Sequence, residues 1–115
     1  MANTLYDAAR QRFLEAQINW MTDTVKVLLV DTGAYTPQTA VHQYLSDISG
    51  TARIAGPVTL TAKATTGGAA DGADVTFASV SGSSIEAIVI YVDTGTEATS
   101  PLIAYIDTAT GLPIT

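Results

Sequence analysis

Apolar residues in the first twenty positions recur at helical spacing. Leu5, Ala9, Phe13 and Ala16 lie three or four apart and Trp20 continues their face, while Arg10, Arg12 and Gln17 point elsewhere. Thr4 is placed to cap this segment, and Asp7 adds an acid to its first turn. The pattern predicts a helix over residues 4–19. A strand over 24–30 follows, rich in Val and Leu on both faces, as in strands covered on two sides. Asp31-Thr32-Gly33 stops it. Thr36-Pro37 reads as a cap followed by proline at the first helical position, and Val41, Leu45 and Ile48 share one side, which predicts a short second helix over 37–48.

From residue 52 to 115 the pattern turns to period two. Val58, Leu60, Ala62 and Ala64 alternate with Thr59, Thr61 and Lys63, a half-exposed strand with Pro57 at its start. Residues 65–73 hold Gly67-Gly68, Asp71-Gly72 and small side chains, and read as a mobile loop. Val75 and Phe77 open another strand, broken at residues 81–84. Residues 85–92 carry the strongest strand signal and 102–106 the next. The expected fold is therefore α+β and predominantly β: an antiparallel sheet or small sandwich with an N-terminal helix and a short second one. A length of 115 residues fits a single domain over 1–115.

Composition narrows the function. Hydrophobic residues make up 47% and charged residues 14%, which excludes a largely disordered chain. No apolar run reaches the roughly 20 residues of a membrane-spanning helix. The start lacks the apolar core of a secretory signal and carries Asp7, Arg10 and Arg12. Five basic residues stand against eleven acidic ones, a net charge of −6, so neither nucleic acid nor an anionic membrane is an expected partner. With no cysteine there is no disulfide framework, Cys-ligated zinc or thiol nucleophile.

One string looks enzymatic. Val30-Asp31-Thr32-Gly33-Ala34 resembles the active-site string of retroviral aspartic proteases, where two such aspartates share a proton and activate water. Three features oppose that alternative. Asp-Thr recurs at Val92-Asp93-Thr94-Gly95 and at Ile106-Asp107-Thr108-Ala109, as expected of a turn signal in which Asp bonds backbone two residues on. The protease's second hydrophobic pair with glycine is missing, and two predicted helices have no place in that fold. His42, the sole histidine, reads as a solvated surface residue, since no metal-ligand spacing accompanies it. Asp71 and Asp74 lack the carboxylate density of a calcium loop. No catalytic, cofactor or metal residue is assigned and no cofactor is expected. One Trp and few aromatics argue against a carbohydrate platform.

Longer strings carry a resemblance. They are MANTLYDAARQRFL (residues 1–14), VKVLLVDT (25–32) with Tyr35-Thr36-Pro37, HQYLSDI (42–48), EAIVIY (86–91) and LIAYIDTATGLP (102–113). Together they resemble a family of small structural proteins from the virion modules of tailed bacteriophages, some of them capsid cement or decoration proteins. The similarity is weakest over 51–72. It implies a non-enzymatic part of the virion, made in the host cytoplasm and mounted on the capsid surface. It would be oligomeric within the assembly, with the major capsid protein or copies of itself as partners. A tail or neck component is the alternative role. The family also continues into a further strand, which implies a shortened form here.

Two stretches are candidates for the interface. Phe13 and Trp20 read first as core, but an aromatic at the exit of an exposed helix can anchor a partner. Leu112, Pro113 and Ile114 begin a short extended segment, and strands usually need about five or six residues. It is expected to augment a neighbour's sheet, with Pro113 facing away because it has no N–H to donate.

Overall fold

A computed structural model of the chain describes residues 4–33, 35, 38, 40–48, 50–67, 69–71 and 87–106. Within them the fold is α+β and predominantly β, with one α-helix and an antiparallel five-stranded sheet. Strand β1 is Thr4–Leu5, helix α1 Asp7–Leu14, β2 Val25–Val30 and β3 Arg53–Thr59. A hairpin follows, β4 Ala64–Thr66 and β5 Ala69–Asp71, then β6 Ala87–Val92 and β7 Leu102–Ile106. The sheet order is β1-β7-β6-β2-β3, with β4 and β5 forming a separate pair.

The N-terminal helix is shorter than its apolar spacing predicts. Thr4 and Leu5 pair with Tyr105 and Ala104 of β7, and the Tyr6 N–H donates to the Ile103 carbonyl at 3.0 Å. Sheet pairing thus claims the backbone that a cap at Thr4 would need, and the helix starts only at Asp7. It ends at Leu14, well before residue 19. The Gln17 N–H reaches back to the Arg12 carbonyl (2.8 Å) and the Ala16 N–H to that of Phe13 (3.3 Å), closing a Schellman-type cap. Ala16 sits at φ 59° in that cap, a position that favours glycine. Ala16→Gly is therefore expected to stabilise the fold by about 0.5–1 kcal/mol, relief of left-handed strain outweighing the added freedom of the unfolded chain. A rise in the urea midpoint at unchanged slope checks it.

The expected helix over 37–48 is absent from its described residues. Gln43–Leu45 runs alongside residues 100–102 instead: the Leu45 N–H donates to the Ser100 carbonyl and the Leu102 N–H to that of Gln43, both at 2.9 Å. Only Leu45–Asp47 coils, as one 3-10 turn. Its backbone groups find partners across the fold, so the helical spacing of Val41, Leu45 and Ile48 is never used. Leu45 and Ile48 are buried and Val41 is exposed.

β2 and β6 pair over their full lengths, from Val25 with Val92 to Val30 with Ala87. β3 lies earlier than expected and contains Pro57, which the sheet tolerates because β3 is an edge strand. It stops at Thr59, and Ala62 at φ 51° redirects the chain before β4. The stretch predicted as a mobile loop holds the β4–β5 hairpin, with Gly67 at φ 58° in its turn. The strand at Val75 and Phe77, Asp74, residues 85–86, Thr36-Pro37, the turn at Asp107 and the tail Leu112, Pro113 and Ile114 lie outside the described residues.

Side chains alternate between the faces of the sheet. The inner face carries Leu28, Val30, Ala87, Val89 and Tyr105, buried in one core with Tyr6, Ala9, Tyr35, Leu45, Ile48 and Ala52. The other face bears an unbroken apolar row across all five strands, Leu5, Ala104, Ile90, Val27 and Val58, each directly paired with the next. Leu5 is exposed and the other four are half-buried.

Candidate functional site: an uncharged groove on the sheet

The apolar row opens into a groove of about 740 Å³. Leu5, Ile90, Ile103 and Ala104 contribute from the sheet, Phe13 and Ala16 from the end of α1, and Ile18, Asn19, Trp20 and Met21 from the following loop. Thr65 of the hairpin closes one end. The structure thus brings Phe13 and Trp20, the two predicted anchors within the described residues, into one site. Phe13 is 37% exposed and Met21 50%, while half-buried Trp20 packs against the core.

Asn19 fixes the loop that presents Trp20. Its side-chain oxygen accepts the N–H groups of Met21 (3.0 Å) and Thr22 (3.3 Å), and the Asp23 carboxylate accepts the Asn19 N–H at 2.9 Å. This reciprocal cap closes residues 19–23 into a turn. The Lys63 ammonium donates to the Asp23 carbonyl from beyond β3. None of the eleven described lining residues carries a charge, in a chain with eleven acids and five bases. Such a surface can bury apolar side chains and gives a charged ligand nothing to pair with.

The charges gather elsewhere. Arg53 is a hub: its guanidinium donates to the carbonyls of Leu45 (2.9 Å) and Ile48 (2.6 Å) and pairs with Glu97 at 2.9 Å. Lys26 pairs with Asp93 at 2.6 Å, which with the Gly95 amide holds that carboxyl below its ordinary value. Arg12 donates to Gln43 and Tyr44 and lies over the Tyr44 ring, tying α1 to the 43–45 segment.

The two described Asp-Thr-Gly strings are turns of one design. Asp31 accepts the Gly33 N–H at 2.8 Å and Asp93 the Gly95 N–H at 2.9 Å. Positive φ is used at Gly95 alone of the two glycines; at Gly33 a Cβ would instead come within 3.1 Å of the Asp31 carboxylate. The turns follow opposite ends of the β2–β6 ribbon, so about six residues of strand, on the order of 20 Å, separate them. Asp31 and Asp93 cannot form a catalytic dyad within one chain.

His42 is not a solvated surface residue. It is half-buried and stacked on Tyr35, with ring centroids 5.4 Å apart, and its Nδ1 lies 3.0 Å from the Tyr35 hydroxyl. That hydroxyl lies 2.7 Å from the hydroxyl of Tyr6. Burial raises the Tyr35 phenol to about 12 and the Tyr6 phenol further. Sequence reasoning missed this network because Tyr6 falls off the predicted helix face and Tyr35 lies between the strand stop at Gly33 and the predicted cap at Thr36. Among the described residues no group of three or more His, Cys, Asp or Glu side chains could hold a metal ion, and no helix is long and apolar enough to cross a membrane. Compared with protein-family models and with curated proteins, the chain matches none.

Proposed function

We propose that the protein is a structural component of a tailed-phage virion, a capsid cement or decoration protein that bridges neighbouring shell subunits. The observation that carries this reading is the uncharged groove with Phe13 and Trp20 on its wall, continuous with a half-exposed apolar sheet face. The strings that resemble that virion family support it, as does the lack of charge among the described lining residues. The mechanism is passive. Apolar side chains of a shell subunit fill the groove, and many copies each add a little contact energy to the particle by linkage of binding to assembly.

The protein is expected to co-purify with particles in fixed ratio to the major shell protein. Particles lacking it should form yet break at lower temperature. Trp20→Ala should lower its affinity for particles by about 30-fold or more, as loss of a buried aromatic anchor does, while its circular dichroism stays native. Recovery only as free protein, never in purified virions, would refute the reading; recovery with isolated tails instead of capsids would assign the tail role.

A further inference from the structure

The order of proton donors around His42 has a consequence outside the groove. His42 Nδ1 receives the backbone N–H of Gln38 at 3.3 Å. A backbone amide can only donate, so Nδ1 is an unprotonated acceptor and the imidazole carries its proton on Nε2. The Tyr35 hydroxyl, 3.0 Å from the same Nδ1, must then donate to it. The Tyr35 oxygen is left to accept, and the Tyr6 hydroxyl at 2.7 Å donates. The buried chain runs one way, from Tyr6 through Tyr35 to His42.

Protonation of the ring reverses every link. An Nδ1–H faces the Gln38 N–H, donor against donor, and that contact cannot survive. The Tyr35 hydroxyl must turn to accept, which sends its own proton toward a Tyr6 oxygen that is fully buried. We infer that His42 is a proton-sensitive latch: uptake of one proton at Nδ1 releases the Gln38 amide and reverses the hydroxyl chain that ties His42 to the start of α1, while the Gln38 carbonyl keeps the Val41 and His42 amides at 2.9 and 2.8 Å. The described titratable groups around the latch are few. Tyr6 at the head of α1 and Tyr105 of β7 reach it through Tyr35, and Asp47 of the 3-10 turn acts on it by its charge. Asp47 already accepts the Gln43 and Tyr44 amides (2.8 and 3.1 Å), which hold the far side of the segment in place.

The chain has one histidine, so a single imidazole signal, followed from pH 8 to 5, reports whether the ring takes up a proton. The experiment is NMR on the full chain across that range. Protection of the Gln38 amide from exchange, normalised to the unprotected rate at each pH, is expected to fall about tenfold as the imidazole titrates, the equivalent of one hydrogen bond. Tyr6 ring signals should shift along the same curve. His42→Asn keeps a neutral acceptor near Nδ1 and should hold the Gln38 protection constant over the whole range. Tyr35→Phe should leave the Gln38 response in place but abolish the response of Tyr6. Unchanged Gln38 protection through the titration, or an imidazole still neutral at pH 5, would overturn the latch.

Discussion

Raised from pH 9 to 12, the protein is expected to unfold in one cooperative step. Three phenols drive it. Burial raises Tyr35 and Tyr91 to about 12, with the Asp93 charge adding to Tyr91, and burial with the Tyr35 hydrogen bond takes Tyr6 higher. In the unfolded chain each ionises near pH 10. Above that value the unfolded state binds fewer protons than the folded one, so stability falls as pH rises. Each tyrosine contributes about 1.4 kcal/mol per pH unit, and three together about 4. A fold worth about 5–15 kcal/mol is largely exhausted near pH 12. Below pH 10 these groups are neutral in both states and their contribution is intact. Phenolate absorbance and far-ultraviolet circular dichroism should share one midpoint, and Tyr6→Phe should lower the slope by about a third. Gradual ionisation centred near pH 10, with the dichroism retained, would contradict the burial of these rings.

Replacing Arg53 has the next largest expected effect. Its guanidinium is the shared donor for the Leu45 and Ile48 carbonyls, and it spans from β3 to Glu97. Arg53→Met keeps much of the aliphatic packing but leaves both carbonyls without their charged donor. Bonds to charged groups are worth about 1.5–3 kcal/mol each, so a loss of about 3 kcal/mol is expected, seen as a lower urea midpoint. Glu97→Gln should cost far less, because its carboxylate is open to solvent and its pairing is screened. If the two variants proved equally destabilising, the ion pair and not the carbonyl contacts would be the source.

Strands β2, β6 and β7 were legible because their runs of Val, Ile and Leu are bounded by Asp-Thr or proline, signals that act within a few residues. The Asp-Thr-Gly strings were legible as turns for the same reason, since an aspartate needs only its own backbone two residues on. Phe13 and Trp20 stood out as aromatics near a helix exit. Their neighbours Ile90, Ile103 and Ala104 did not, because which face of a strand stays half-covered depends on what packs against it.

The amino-acid sequence by itself determined the β-rich class, the three long strand runs, the acid excess and the turns that end β2 and β6. Each follows from local backbone preference or from simple counting. Tertiary structure decided where helical spacing would be honoured. Leu5 fits an amphipathic helix, yet β7 offers Thr4 and Leu5 backbone partners and makes them a strand. Val41, Leu45 and Ile48 fit another, yet Ser100 and Leu102 claim the backbone of residues 43–45. A short helix is marginal alone, so pairing with neighbouring extended backbone outweighs it. That competition moved Leu5 off the helix and onto the wall of the groove, beside Phe13 and Trp20.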